Sequence, residues 1–428
     1  MSEFDKAPSL NGKIEVLSGF AFPSNGFNQL DGLPLIRIRD LGSTTTEVRF
    51  RGAYDPAYRV IKGDLLVGMD GDFEAYRWEG DDALLNQRVC KISSASKEIN
   101  QGFLYWYLKP KISEVHRKTP QTTVRHLSTK DIYAIAEPPV DFIEQEVIAQ
   151  VLDTLDTAIR ETEALIDKLK AVKQGLLHDL LTRGIDANGQ LRPPQSEAPQ
   201  LYKESPLGWI PREWEVEPII SLTSNSVIGP FGSDLVAADY RDSGVPVIFV
   251  RDVKPDQLVW KSNVFVTTNK ALALAAHEVH AGDVVATKMG LPPCVAAVYP
   301  ESMSSGIVTA DIVRLRPCTD RICPDWMSIF MNSPAVAKQV EQITAGVTRP
   351  KVTLRDVRNL LIGLPSIKEQ ERILDRLVAV QSRIQLEETS REKLIAEKSG
   401  LMDDLLTGRV RVTPLLESMQ QTATRTGA

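Results

Sequence analysis

Four cysteines and five histidines in 428 residues leave little material for cross-linking or metal chemistry. Cys90, Cys294, Cys318 and Cys323 are irregularly spaced, which excludes a disulfide framework and fits reduced thiols. Cys318 and Cys323 with His277 and His280 are the only set able to supply a zinc site. CTDRIC lacks a knuckle spacing and no CxxC is present, so no metal is expected. No run of about 18 uncharged apolar residues occurs, and MSEFDKAPSL has no signal-peptide pattern, so a cytoplasmic chain without membrane contact is expected. The net charge of -6 argues against a protein that coats nucleic acid nonspecifically. Catalytic signatures are also missing: GxxxxGK[ST], GxGxxG after a strand, GxSxG, HExxH and the Asn-Pro-Pro-aromatic of amino-methyltransferases. Neither Pro255-Asp256 nor Pro324-Asp325 is followed by Glu-x-Lys at nuclease spacing. These absences point to binding rather than chemistry, with no cofactor on this chain.

What the chain does have is a repeat. Residues 144–182 and 369–407 align without gaps at a separation of 225, with 17 identities in 39 positions, among them EQE and DLLT. The match continues upstream through LSTKDI and VTLRDV, each followed by proline (Pro138 and Pro139, then Pro365). Earlier, GLPLIRIRDL (32–41) pairs with GVPVIFVRDV (244–253) at a separation of 212, and Gly63-Asp64 with Gly282-Asp283 at 219. The ends of each unit are alike and the middles have drifted. Such a unit is far longer than a solenoid period and reads as a globular domain followed by a long helix. LPLIRIRD, DLLVG, VPVIFVRD and GDVVAT are short, β-branched and bounded by Gly or Pro, which predicts strands; GFLYWYLK and PDWMSIFMNSPAVAKQVEQI have helical spacing. The expected fold class is α+β, with two tandem mixed α/β domains separated by two long helices.

In the first helix Ile148, Leu152, Leu155, Ile159, Ile166, Leu169, Leu176 and Leu180 follow the alternating four-three step of a heptad seam, interrupted at Thr162 and Lys173. The second keeps the register with Ile373, Leu377, Val380, Ile384, Leu394, Leu401 and Leu405, interrupted at Glu387, Arg391 and Lys398. Pro139 and Pro365 precede the starts, and Gly184 and Gly408 follow the ends. Roughly 40 residues at 1.5 Å each span about 60 Å. A single stripe that long needs a partner, and the sister helix is the obvious one. Pairing about a pseudo-two-fold axis makes an antiparallel coiled coil. The polar interruptions either fix its register or lie at a wet edge.

Two similar but diverged domains held at a fixed separation suit two features of one extended ligand. Double-stranded DNA fits, with half-sites about 34 Å apart per helical turn, and the diverged middles predict half-sites of different sequence. Basic residues gather before each long helix: Lys109, Lys111, Arg117, Lys118, Arg125 and Lys130 in the first copy, and Lys338, Arg349, Lys351, Arg355 and Arg358 in the second. With Thr122, Thr123, Gly346 and Thr348 among them, they are either phosphate and base contacts or solvated loop charges. Arg39-Asp40 and Arg251-Asp252 read as structural ion pairs ahead of base readers, and Tyr54, Tyr58, Tyr76, Trp78 and Phe249 as core packing ahead of wedging or stacking on bases. The competing class is a coiled-coil scaffold joining two protein-binding domains. A steep salt dependence of DNA binding separates the two.

The paired EQE-to-DLLT helices, GFAFPS (19–24), LIRIRD and SPLGWIPREWEV (205–216) resemble the specificity subunit of Type I restriction-modification systems, over nearly the whole chain. The resemblance implies target-recognition domains at 1–137 and 206–363 and conserved helical regions at 138–185 and 364–410; residues 186–205, rich in Pro, Ser, Gln and charge, read as an exposed linker, and 411–428 as a tail. It implies a non-catalytic subunit that reads a bipartite asymmetric DNA target, one domain per half-site. Its partners would be two modification subunits, methyltransferases using S-adenosylmethionine, and restriction subunits, motor-nucleases using ATP and Mg. An accessory subunit of a related methyltransferase-nuclease that lacks a motor is the neighbouring possibility. One departure is that nothing before GKIEVLSGFAF corresponds to LGWIPREWEV. Either the first domain is trimmed, or the C-terminal tail supplies its edge in a circular arrangement.

Overall fold

The computed structural model describes residues 8–71, 73–118 and 125–413. The chain divides into two units, Met1–Leu165 with Glu387–Ala428, and Ile166–Leu386. Unit 1 contains β1 (Ile14–Ser18), β2 (Phe27–Asn28), β3 (Leu33–Ile36), β4 (Arg49–Phe50), β5 (Arg59–Val60), β6 (Leu65–Gly68), β7 (Ala75–Arg77), β8 (Ala83–Leu85), β9 (Val89–Ser94), α1 (Gln101–Lys118) and α2 (Thr129–Tyr133). The first half of the long helix α3 (Phe142–Thr182) follows. Its strands form two sheets, in the orders β1-β9-β6-β7 and β2-β4-β3-β8-β5.

Unit 2 takes the second half of α3 and continues with β10 (Tyr202–Ser205), β11 (Gly208–Pro211), β12 (Glu215–Pro218), β13 (Thr223–Ile228), β14 (Val245–Ile248), β15 (Val253–Lys254), β16 (Gln257–Leu258) and β17 (Phe265–Val266). Next come α4 (Thr268–Ala273), β18 (Glu278–Val279), β19 (Val284–Thr287), β20 (Ala296–Val298), β21 (Gly306–Val308), β22 (Ile312–Pro317), α5 (Pro324–Met331), α6 (Pro334–Ile343), α7 (Leu354–Asn359) and β23 (Leu361–Leu364). The second long helix, α8 (Ile367–Leu405), begins here and ends in unit 1. The main sheets, β13-β22-β19-β20 and β17-β14-β21-β18, repeat those of unit 1 except for the added edge strand β2, and the second sheet of each has a single parallel pair: β3 with β8, and β14 with β21.

Local chemistry explains the sequence repeats. LSTKDI and VTLRDV are capping boxes: Asp131 N donates to Ser128 Oγ at 3.3 Å while Ser128 N donates to Asp131 Oδ2 at 2.9 Å, and Thr353 and Asp356 do the same at 3.2 and 2.8 Å. The strands predicted over LPLIRIRD and VPVIFVRD stop at Ile36 and Ile248, and the Arg-Asp pairs lie on short 3-10 turns. The expected ion pair within each dipeptide is not formed. Asp40 accepts from Arg37 N at 2.9 Å and Asp252 from Phe249 N at 2.9 Å, because a short carboxylate tightens a turn by capping its first amide. Arg39 and Arg251 are exposed, the first 3.8 Å from Glu47 and the second 4.5 Å from the Phe249 ring centroid.

The doubled helix ending also has a packing reason. Leu180 and Leu181 enter the core of unit 2, and Leu405 and Leu406 that of unit 1. Thr182 and Thr407 return their hydroxyls to the His178 and Asp403 carbonyls, at 2.8 and 2.6 Å. Gly184 and Gly408 then take left-handed φ values of 59° and 69°, which stop the helices.

The stretch 186–205, expected as an exposed linker, keeps many exposed residues but is pinned to unit 2 by a few buried ones. Arg192 is 6% exposed, Ala198 and Tyr202 are buried, and Tyr202 OH donates to the Pro193 carbonyl at 2.6 Å. Part of its polar content serves internal pairing, with Arg192 bound to Glu369 and Glu213. At the start of the first domain, Ser9 bridges Ala136 and Leu10 N donates to Ile135 O, so residues 8–10 take the place that β12 holds against β23 in unit 2. The tail as far as Thr413 packs in unit 1, where Val412 joins the core; residues 414–428 lie outside the described residues.

Candidate nucleic-acid interface

The helical seam is antiparallel within each unit. In unit 1 the partners of α3 run backwards along the chain, from Arg411 at Glu144 to Lys398 at Asp156. In unit 2 they run from Gln381 at Lys173 to Glu369 at Ile185. Ile148, Leu152, Ile159, Ile166, Leu180, Ile373, Leu377, Ile384 and Leu405 are buried, and Leu155, Leu169, Leu176, Val380, Leu394 and Leu401 are half-buried. The heptad stripe thus contains no exposed residue. Among its polar interruptions, Lys398 reaches Asp156 and stands 4.6 Å from the Trp106 ring centroid, while Lys173 Nζ donates to Gln381 Oε1 at 2.8 Å. Lys173 and Lys398 are repeat equivalents, and so are Asp156 and Gln381.

Two residues of the EQE motif fasten each globular part to its helices. Gln145 accepts from Asn100 N at 2.8 Å and donates to the Glu98 and Val140 carbonyls, both at 3.0 Å. Gln370 accepts from Cys323 N at 2.8 Å and donates to the Arg321 and Pro365 carbonyls. Glu144 and Glu369 each bind an arginine carried by the segment that follows the other helix, Arg411 and Arg192. The Arg411 guanidinium, with Thr413 adding donors against the opposing effect of burial, pulls the Glu144 carboxyl down to about 2. Burial works against the Arg192 charge, but Glu369 and Glu213 outweigh it and leave its pKa raised. The EQE repeat marked these residues in the sequence. The arginine partners did not stand out there, because they lie far away in the chain.

The basic candidates separate by surroundings. On α1, Lys109 and Lys111 are half-buried, 5.5 and 5.9 Å from the Tyr105 and Tyr107 ring centroids, Lys118 pairs with Glu114 at 2.6 Å, and Arg117 is exposed. Arg125 contacts His116, and Lys130 is exposed on α2. In unit 2, Arg349 and Arg355 are exposed and Lys351 lies 3.2 Å from Asp311. Arg358 Nε and Nη2 donate to Ser226 Oγ and O, both at 2.8 Å, which ties α7 to β13. Thr122 and Thr123 lie outside the described residues. Of the aromatics, Trp78 is buried, Tyr58 and Phe249 are half-buried, and Tyr54 is 39% exposed. Among the described residues, no three His, Cys, Asp or Glu side chains are grouped as metal ligands, and no helix is long and apolar enough to cross a membrane.

The family described as Type I restriction modification DNA specificity domain matches residues 9–171 and 329–396, more than half of the chain. The chain belongs to this family. It is 28% identical over 86% of its length to the Type I restriction enzyme EcoBI specificity subunit of Escherichia coli, covering 77% of that protein. It is 22% identical to the Type I restriction enzyme MjaVIII specificity subunit of Methanocaldococcus jannaschii, over 83% of this chain and 81% of the relative. The S subunit of a Type-I restriction-modification system from M. genitalium shares the fold, with a TM-score of 0.56 at 13% identity over 95% of this chain and 98% of that one. Most of the second globular domain of this specificity subunit falls outside the family match. Its sheet orders nevertheless repeat those of the first.

Proposed function

We propose that this specificity subunit reads a bipartite, asymmetric duplex target, with residues 1–137 reading one half-site and residues 206–363 the other. Helical regions 138–185 and 364–410 set the unread spacer and dock two methyltransferase subunits, to which the motor-nuclease subunits add for cleavage. The chain supplies no catalytic group and acts on DNA in the cytoplasm. S-adenosylmethionine, ATP and Mg belong to its partners. The observation that carries this reading is the duplication itself: one topology occurs twice, each copy fastened by the same Gln and Glu to halves of both long helices. Docking by the helices is supported by apolar residues off the seam, namely Leu165 and Val172 on α3 and Val378, Leu386 and Ile395 on α8, each between 37% and 62% exposed.

The test is to co-express the full chain with its candidate modification subunit and map methylated adenines. A gapped two-part motif is expected, and exchanging residues 206–363 for another such domain changes one part only. A change in both parts would sink the modular assignment. Inserting one heptad into both helices lengthens the spacer, and an unchanged spacer removes the ruler.

A further inference from the structure

The bipartite reading requires that something on a shared frame differ between the two domains, and one place in the fold meets this requirement. In unit 1, Met69 N donates to Arg88 O and Leu127 N to Met69 O, both at 2.8 Å. In unit 2, Lys288 N donates to Asp311 O at 2.7 Å and Val352 N to Lys288 O at 2.9 Å. The next residue of each loop bridges the segment that enters α2 or α7, Asp70 to His126 and Met289 to Lys351. Two backbone hydrogen bonds and the bridge that follows them therefore recur in both units, although Arg88 takes a left-handed φ and its counterpart Asp311 does not.

The side chains it carries are not. In unit 1 the loop after β6 supplies the carboxylate, Asp70, which lies 2.7 Å from His126 Nδ1 and 3.3 Å from Arg88 Nε. In unit 2 the carboxylate has moved to the strand side as Asp311, 3.2 Å from Lys351 Nζ, and the loop after β19 presents Met289 and Leu291. Asp311 and Met289 share a hollow of about 560 Å³ with the exposed Arg251. Arg88 holds a left-handed φ of 71°, which a side chain bears only where its surroundings impose it. Arg88, His126, Lys351 and Leu291 are 68%, 64%, 53% and 87% exposed. Where the frame itself needs a residue, as at Gln145 and Gln370, both copies keep it. Here the frame is kept and its exposed residues are exchanged.

We infer that these matched patches are the base-reading elements of the two domains: Asp70, Arg88 and His126 for the first half-site, and Met289, Leu291, Asp311, Lys351 and Arg251 for the second. The inference rests on the bipartite reading and adds the residues that read. A carboxylate beside Arg88, His126 and Lys351, and the Phe249 ring beneath Arg251, fix their directions before DNA arrives, which lowers the ordering cost of a base contact. Arg88 then takes guanine O6 and N7 in the major groove, Lys351 takes a purine acceptor, and Leu291 with Met289 packs on a thymine methyl.

The experiment maps methylated adenines for the full chain assembled with its modification subunit, comparing Arg88→Ala, Lys351→Ala and Leu291→Ala with the unaltered chain. These side chains are exposed, so the fold is retained, and circular dichroism of each assembled complex checks it. Arg88→Ala is expected to relax one guanine position of the first part of the motif by roughly tenfold to hundredfold and leave the second part intact. The other two variants relax the second part only, with Leu291→Ala acting at a thymine. Uniform weakening at every site, the mark of phosphate contacts, overturns the inference while the two-part motif of the unaltered chain stands, and so does an unchanged motif. If the unaltered chain in an active complex yields no two-part motif, the functional reading falls and this inference with it.

Discussion

Glu144 and Glu369 occupy the same position of the repeat, yet their surroundings differ. Glu369 holds Arg192, which is 6% exposed, and also accepts from the Trp214 indole at 3.1 Å and from Ile185 N at 2.9 Å. Glu144 is itself buried, but its Arg411 is 48% exposed and comes from the last described turn of the chain. The same device is thus sealed in unit 2 and open to water in unit 1. A duplication preserves the tie, and the segment that supplies the arginine decides how strongly it is held.

The largest effect should come from breaking that tie where it is sealed. Glu369→Ala leaves Arg192 buried with only the exposed Glu213 as a charge partner and is expected to cost about 3–5 kcal/mol. Glu144→Ala costs less, because water reaches Arg411. Peptide-resolved hydrogen exchange compares the two, with faster exchange expected over 180–192 and 366–377 for the first variant. Equal losses in both units would break the comparison. The glutamines should behave oppositely, as matched parts: Gln145→Leu and Gln370→Leu each leave one backbone amide and two carbonyls without their buried partner, and each is expected to cost about 2–3 kcal/mol. A difference above about 1 kcal/mol between them would show that the two fastenings are not equivalent.

Much of this was legible in the sequence. The repeat, the two helices and the heptad register were readable because period and identity are local signals, and the gapless match of residues 144–182 with 369–407 fixed both seams at once. The capping boxes were visible as repeated motifs without their reason. The strands of LPLIRIRD and VPVIFVRD were drawn too long, since an alternating pattern does not reveal that Asp40 and Asp252 curl the chain back onto its own amides. The anchor within 186–205 was not legible, because Pro, Ser and charge content is shared by loops that float and loops that pack, and only the position of Glu369 makes Arg192 a buried group. For the same reason the basic candidates were chosen by charge alone. Arg358 is tied to Ser226, and although Lys351 stood among the candidates, Asp70, Arg88, His126 and Asp311 did not, because each patch is assembled from segments far apart in the chain.

The open tie in unit 1 has a pH signature. The Glu144 carboxyl titrates at about 2 in the folded chain, against about 4.3 for a free glutamate. With the folded value depressed, the stabilisation is fully present above about pH 4–5 and is lost as pH falls toward 2. Thermal unfolding followed from pH 7 to pH 2 should show the unaltered chain losing its advantage over Glu144→Gln within this window. A constant gap between the two would mean that the Arg411 contact contributes nothing to the acid limb.

The smallest effect concerns the two seam lysines, and it bears on whether their polar pairs fix the register. Lys398 is 17% exposed, meets Asp156 and lies against Trp106, whereas Lys173 meets the neutral, exposed Gln381. Lys398→Met removes an ion pair and a cation–π contact, for an expected loss of about 1 kcal/mol. Lys173→Met exchanges one polar pair for an apolar seam residue and is expected to stay within about 0.5 kcal/mol of neutral. If both variants are neutral and adenines are still methylated at an unchanged spacing, the apolar stripe alone holds the register. If Lys398→Met alone blurs the spacing, the charged pair of unit 1 sets the alignment, and the Lys173 pair is the weaker remnant of the same device.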